Sequence, residues 1–431
     1  MIMETLKLGS RGTDVELLQL ALTRSGYYSD NIDGVYGPRT QNAVRRFQSG
    51  FGLKPDGIVG EKTWSAIHPF LVGYFTTKVR SGDTFYRLAK RYDTTVTAIE
   101  SANPYHDEKS LQIGETIIVP YGFDIVPINV HYTSKLAALI TDGLKKRYPF
   151  ITTKSIGNSV MGIPITVFEI GKGASEAFYN GTHHANEWIT TTLLMKFMEN
   201  YLKAYVNNST ILGRNARYLY ENTKLCVVPM VNPDGVDLVN GALETHNLYY
   251  KEAVKIAETY PTVRFPDGWK ANIAGTDLNL NYPAGWETAR EIKFKQGYVS
   301  PAPRDYVGTA PLSAPESRAV FDYTKQQDFK LILAYHTQGQ VIYWKYQDIE
   351  PANGYEIGMA LAQVSGYTLD DVPDESGNAG YKDWFILNYE RPGYTVEAGL
   401  GVNPLPLSQF GTIYNDNIGI LTTALEKAME I

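Results

Sequence analysis

The run Phe178-Tyr179-Asn180-Gly181-Thr182-His183-His184-Ala185-Asn186-Glu187-Trp188 changes character halfway along. Ala177–Asn180 reads as a buried strand, Gly181-Thr182 ends it, and Thr190–Val206 continues at helical periodicity. The pattern recurs around it. Ile165–Ile170, Leu225–Met230, Leu331–Tyr335 and Gly393–Val396 are strand-like, whereas Ala314–Gln327, Glu356–Val364 and Ser408–Met429 are helix-like. Alternation of this kind predicts a large α/β domain over 125–431, a mixed sheet with helices on both faces. In such sheets ligands gather at the carboxyl ends of strands. Two of those ends carry metal-binding side chains. His184 and Glu187 lie three apart at a strand-to-helix junction, and His336 closes Leu331–Tyr335. Two imidazoles and a carboxylate leave one position of a tetrahedral Zn²⁺ open to water, as in a catalytic site. His183 competes with His184, but only His184 has a carboxylate three residues on.

Upstream of that domain lie two smaller modules. Asp33-Gly34-Val35-Tyr36-Gly37-Pro38-Arg39-Thr40 returns as Asp56-Gly57-Ile58-Val59-Gly60-Glu61-Lys62-Thr63, each copy a glycine turn opening a helix. With an amphipathic helix around Val15–Leu22 this predicts a small all-α module over 1–72. Residues 75–122 read as an α+β (βααβ) module. Ser81, Asp83 and Thr84 offer a helix N-cap, Phe85–Tyr92 and a segment from Thr95 form helices, and Leu111–Pro120 is the closing strand. Modules this small make marginal cores and suit binding better than catalysis.

Composition narrows the function. Of 431 residues, 43% are hydrophobic and 20% charged, ordinary globular usage, and the net charge of −6 argues against a nucleic-acid binder. Cys226 is the single cysteine, which excludes an intrachain disulfide and any cysteine-based zinc cluster. No apolar run is long enough to span a bilayer. Met1–Thr13 lacks the basic and apolar regions of a secretory leader. The 31 tyrosines exceed what a core needs and suit polar-ligand clefts.

Specific blocks then point to families. Gly9, Gly12, Val15, Gln19, Leu22, Asp33-Gly34, Thr40, Phe47-Gln48, Asp56-Gly57, Thr63 and Trp64 make the first module resemble the peptidoglycan-binding domain of wall hydrolases. The second module resembles a LysM domain, a family that grips N-acetylglucosamine-containing glycans. Gly82, Asp83, Thr84 and Ile113 are its candidate sugar contacts, turn and core being the alternative. Gly181–Trp188, Val231-Asn232-Pro233-Asp234-Gly235, Asp277–Tyr282, Tyr335-His336-Thr337 and Thr395-Val396-Glu397 occur in the order of the metallocarboxypeptidase superfamily, zinc peptidases related to carboxypeptidase A. That resemblance implies His184, Glu187 and His336 as ligands of one zinc ion, and Glu397 as the base that activates water and protonates the leaving nitrogen. It further implies Asp277 as the carboxylate orienting His184, and Lys270 as the cation that polarises the scissile carbonyl.

The sequence also departs from that superfamily. Digestive carboxypeptidases hold a terminal carboxylate with an Asn-Arg pair; here the block reads Asn279-Leu280, and leucine offers no donor. An arginine near the first histidine ligand is replaced by Asn186. The tyrosine that closes on substrate aligns near Ile386, with Tyr381 on a neighbouring turn as candidate replacement. The module combination and Leu280 resemble the bacterial γ-D-glutamyl-L-diamino acid endopeptidases, including the sporulation-associated type. That resemblance implies peptidoglycan as partner and stem peptides as substrate, at the cell wall or inside a sporulating cell. A strict metallocarboxypeptidase and a non-catalytic wall-binding protein are the competing readings.

Overall fold

A computed structural model describes residues 3–107, 110–373 and 375–431. The first two residues of the segment read as lacking a leader therefore lie outside the described residues. The chain divides into two compact units, one ending at Phe150 and the other spanning Ile151–Ile431.

The first unit opens with three helices, α1 (Thr13–Arg24), α2 (Pro38–Gly50) and α3 (Glu61–Val72). The internal repeat has a physical origin in two buried glutamines. Gln19 accepts from the backbone N–H groups of Asp33 and Gly34, both at 3.0 Å, and its amide donates to Asp33 Oδ1 at 2.8 Å and Thr40 Oγ1 at 3.2 Å. Gln48 does the same one repeat later, accepting from Gly57 N at 2.9 Å and donating to Asp56 Oδ1 at 3.1 Å and Thr63 Oγ1 at 3.2 Å. Gly34 and Gly57 adopt φ of 66° and 73°, the left-handed region that glycine enters without strain.

The second module is a two-stranded antiparallel sheet, β1 (Tyr74–Lys78) with β2 (Thr116–Pro120), enclosing helices α4 (Phe85–Arg91) and α5 (Val96–Ala102). Thr84 and Thr95 cap the two helices by accepting from Arg87 N and Ala98 N. Helix α6 (Ser134–Arg147), which the sequence reading grouped with the large domain, packs in this first unit against α3 and α5.

The second unit is built on β3 (Thr152–Asn158), β4 (Pro164–Gly171) and β5 (Ser175–Gly181). A small hairpin of β6 (Thr210–Ile211) and β7 (Arg214–Asn215) follows, then β8 (Thr223–Val228), β9 (Phe329–His336), β10 (Val341–Tyr343), β11 (Thr368–Asp370) and β12 (Gly393–Glu397). Eight of these strands form one mixed sheet in the order β11-β10-β12-β9-β5-β8-β4-β3. The pairs β12/β9, β9/β5 and β5/β8 are parallel, so their carboxyl ends share one edge. Core strands read as continuous apolar runs because helices cover the sheet, among them α7 (Ile189–Val206). No helix among the described residues is long and apolar enough to cross a membrane.

Because Gln48 satisfies one turn's backbone and side chains with a single buried amide, Gln48→Ala leaves several buried polar groups unpaired. We expect it to destabilise the α1–α3 module by about 1–3 kcal/mol, read as an earlier first transition in calorimetry of the full chain. An unchanged thermogram would mean that water replaces the amide at no cost.

Candidate metal centre

The parallel register brings three candidate metal donors together. Gly181 of β5 pairs with Tyr335 of β9, so the loop after β5 begins beside His336. Within that loop a single 3₁₀ turn, Ala185–Glu187, brings His184 and Glu187 to one side. His184 Nδ1 lies 2.9 Å from Glu187 Oε1, His336 Nδ1 lies 3.0 Å from Glu187 Oε2, and the two Nδ1 atoms are 3.1 Å apart. All three residues are buried. His183 is buried too, but its Nε2 meets the Tyr282 hydroxyl at 2.9 Å, which takes it out of the cluster.

Supporting groups fix the donors. Asp277 Oδ1 lies 3.1 Å from His184 Nε2, while its Oδ2 accepts from Asp305 N at 3.1 Å. With its Nε2 hydrogen given to Asp277, a neutral His184 turns a bare lone pair toward a carboxylate and a second imidazole. His336 Nε2 is buried without a hydrogen-bond partner among the described residues. Three lone-pair donors converging on one point need a cation, and two imidazoles with a carboxylate suit zinc. Before any ion binds, burial lowers His184, yet the Glu187 and Asp277 carboxylates raise it to about 9. Burial raises Glu187, but the His184 charge holds it well below the carboxylate range. A metal ion binding here takes the place of that proton. Thr337 N at 3.3 Å and Asn403 Nδ2 at 3.4 Å also donate to Glu187, a role for Asn403 that no sequence motif advertised.

Glu397 ends β12 in register with His336. Burial and the neighbouring Glu187 charge push its carboxyl up to about 8. Lys270 Nζ stands 3.8 Å from Glu187 Oε1. Its loop is tied down: Lys270 N donates to Pro303 O at 2.8 Å, and Ala185 N donates to Lys270 O at 2.9 Å. Deeper in the same loop, Asn272 Nδ2 donates to the fully buried Glu316 at 3.0 Å. A cavity of about 280 Å³ is lined by His184, Lys270, Asp277, Asn279, Leu280 and Glu397 together. Asn186 lines a second cavity that also reaches Lys270 and Glu397.

Two expectations fare differently. Tyr381 does not reach the cleft: it is fully buried, its hydroxyl meets Thr324 Oγ1 at 2.9 Å, and its ring packs on Phe178, Tyr282 and Trp384. Its helix begins at that residue and turns the side chain into the core, and Ile386 is buried there as well. The tyrosine that lines both cavities is Tyr343, on β10, whose short strand carries no motif. In the LysM-like module, Gly114 N donates to Val79 O, which sets Ile113 beside the 80–84 turn. Thr84 there caps α4, Asp83 pairs with Arg91 at 2.7 Å, and the Gly82 carbonyl accepts from Arg87. Ile113 is 73% exposed.

With this geometry in hand, comparison with known proteins gives the class. Residues 139–400 match the zinc carboxypeptidase family, 11–67 the putative peptidoglycan binding domain and 77–120 the LysM domain. The chain belongs to the zinc carboxypeptidase family and is a zinc metallopeptidase. It is 45% identical over 283 residues to gamma-D-glutamyl-L-diamino acid endopeptidase 1 of Lysinibacillus sphaericus, covering 65% of this chain and 69% of that protein. A spore cortex-lytic enzyme of Bacillus subtilis (strain 168) is 41% identical over 91 residues, 20% of this chain and 30% of that one. Carboxypeptidase A from Helicoverpa armigera shares the fold, with a TM-score of 0.55 at 16% identity over 80% of this chain and 81% of that one.

His336→Ala removes one of three donors, and zinc per purified chain should fall well below that of the wild type. Undiminished zinc would exclude His336 as a ligand. A second expectation concerns Glu316, which burial pushes from 4.5 up to about 7. The folded chain keeps a proton there that the unfolded chain releases. That stabilisation is complete below about pH 4.5 and is lost as the pH rises through 7, up to about 3 kcal/mol. Glu316→Gln cannot titrate, so its denaturation free energy should vary less with pH across this window. A slope equal to the wild type's would place the proton elsewhere.

Proposed function

We propose that the chain hydrolyses peptidoglycan stem peptides at the γ-D-glutamyl–meso-diaminopimelate (or L-lysyl) bond, by attack of water. The observation that carries this reading is one cleft, lined by His184, Lys270, Glu397 and Leu280, in a chain that also bears two wall-binding modules. The 45% identity to an endopeptidase named for that bond supports it.

His184, Glu187 and His336 would hold the zinc ion, with Asp277 keeping His184 in the tautomer whose Nδ1 faces that position. Zinc, when bound, supplies a Lewis acid for the water and the scissile carbonyl. Glu397 takes a proton from the attacking water and returns it to the leaving amine. Lys270 brings a positive charge to the carbonyl oxygen as it becomes anionic. Leu280 presents no donor to a terminal carboxylate, so chain beyond the cleaved residue leaves no guanidinium stranded at that position. The peptidoglycan-binding and LysM modules tether the enzyme to the wall and raise the local concentration of stems. In this reading the protein works at the cell wall or in the wall-bearing compartment of a sporulating cell.

One observation favours a second reading, a strict carboxypeptidase: Arg304 and Lys293 line the same cleft and are cations able to hold a terminal carboxylate. Mass spectrometry of purified muropeptides after digestion separates the two. Endopeptidase action releases diaminopimelate-D-alanine from tetrapeptide stems as well as free diaminopimelate from tripeptides. A tetrapeptide left untouched beside a cleaved tripeptide would establish the second reading. Glu397→Gln should lower the rate by about 10²-fold or more while zinc content stays near normal. A variant retaining over half the activity would remove Glu397 from the role of base.

A further inference from the structure

The outlying charges of the cleft are held by one another. Lys382 Nζ lies 2.7 Å from Asp383 Oδ1, while Asp305 takes Lys293 at 2.8 Å and Arg304 at 2.6 Å. One neutral group in the lining has no such partner. Tyr343 lines both cavities, and its hydroxyl meets no hydrogen-bond partner among the described residues. Other tyrosines of this domain spend theirs inside the protein: Tyr282 meets His183, Tyr323 meets Glu169, Tyr381 meets Thr324 and Tyr394 donates to Gly354 O. Burial first, then the Glu397 and Asp370 charges, push the Tyr343 hydroxyl above its usual range, so it stays neutral near pH 7.

Strand register gives the side of the site on which Tyr343 stands. β10 pairs with β12 so that Val341 lies opposite Glu397 and Tyr343 opposite Thr395, and β12 pairs with β9 so that Glu397 lies beside His336. Residues opposite one another, like residues two apart on one strand, share a face of a sheet. Tyr343, Thr395, Glu397 and His336 therefore share the cleft face, while Ile342, Val396 and Tyr335 are fully buried on the other. Across that face the order is Tyr343 on β10, Glu397 on β12 and His336 on β9, with β5, which leads to His184 and Glu187, beyond. Adjacent strands are about 4.8 Å apart. Glu397 is thus flanked by the His184–Glu187–His336 cluster on one hand and by Tyr343 on the other. Lys270 stands on the cluster's side, 3.8 Å from Glu187. Lys270, Arg304, Tyr343 and Glu397 line both cavities, so a peptide lying through the cleft has its reacting bond among them. An amide whose carbonyl oxygen turns toward Lys270 and the cluster directs its nitrogen the other way, toward Tyr343.

We propose that Tyr343 is a further catalytic residue, its hydroxyl oxygen accepting a hydrogen bond from the N–H of the scissile amide and so turning the leaving nitrogen toward Glu397. In the intact amide the nitrogen lone pair is delocalised into the carbonyl. Water adding to the carbonyl carbon releases that lone pair, and Glu397 delivers to it the proton taken from the water. An N–H held on Tyr343 leaves the lone pair facing Glu397 on the opposite flank. The C–N bond then breaks, the acyl carbon keeps the water oxygen, and the amine departs with the transferred proton; Tyr343 neither gains nor loses one. The contact is best made once the nitrogen is pyramidal, so it favours the transition state over the bound substrate. This rests on the hydrolytic reading above.

The test removes one partner of this hydrogen bond at a time. Full-length zinc-loaded enzyme and its Tyr343→Phe variant are compared on L-Ala-γ-D-Glu-meso-diaminopimelate and on a counterpart whose scissile N–H is replaced by an ester oxygen. The variant's kcat/KM for the amide, taken relative to that for the ester, should lie about 10-fold or more below the wild-type ratio. An unchanged ratio overturns the inference and leaves the stem-peptide reading standing, whether both rates hold or both fall together, the latter being the mark of a purely structural tyrosine. Should Tyr343→Phe fail to fold, Tyr343→Leu decides by the same ratio. Wild-type enzyme that leaves the γ-D-glutamyl amide uncut would overturn the stem-peptide reading and this inference with it.

Discussion

Three parallel strands ending at one edge determine what the cleft contains. Pairing of β5 with β9 and of β9 with β12 sets Gly181 beside Tyr335 and His336 beside Glu397. A slip of one residue in either pairing would turn His336 or Glu397 to the opposite face of the sheet. The helices covering the sheet make such a slip expensive, since each strand is apolar on both sides. The apolar core thus does more than stabilise the domain. It holds the side chains of three separate sequence blocks in register, around a point where lone pairs would otherwise repel.

That convergence needs support from outside the sheet. Asp277 is held by Asp305 N while it faces His184, and Asn403 and Thr337 tie to each other at 2.8 Å while both approach Glu187. The Lys270 loop is stitched to the His184–Glu187 loop through Ala185 and to the interior through Asn272 and Glu316. His184 and Glu187 therefore each have a partner outside the cluster that fixes their orientation before any ion arrives. Preorganisation of this sort is what lets charge develop in a reaction without the site having to rearrange.

Much of this was legible in the chain because its chemistry sits in short contiguous blocks at strand ends. His184 and Glu187 share a turn and His336 closes an apolar run, so strand ends drew attention to them, whereas Glu397 was singled out by the resemblance of its block to the metallocarboxypeptidases. The Asp-Gly repeat likewise announced a duplicated turn, although the glutamines that clamp it lie in preceding helices. Tyr381 shows the limit. Nearness in sequence to the expected position says nothing about which way a helix faces, and the helix from Tyr381 to Tyr389 buries that ring against Trp384. Tyr343, Arg304 and Lys382 escaped notice for a related reason. They come from a three-residue strand, a loop and a first helical turn that meet only in space.

The small β1–β2 sheet has a consequence of a different order. Tyr74 pairs with Pro120, and Tyr121 N donates to Gly73 O at 3.0 Å, so the chain enters and leaves the LysM-like module at adjacent points. Arg147 bonds the carbonyls of both Gly73 and Tyr121, clasping the two ends of that excursion from below. Topologically the module is a cassette inserted at a single site. Its gain, loss or exchange for another glycan reader would leave the path of the flanking chain nearly unchanged, so wall affinity can diverge among descendants of this architecture without any change in the peptidase.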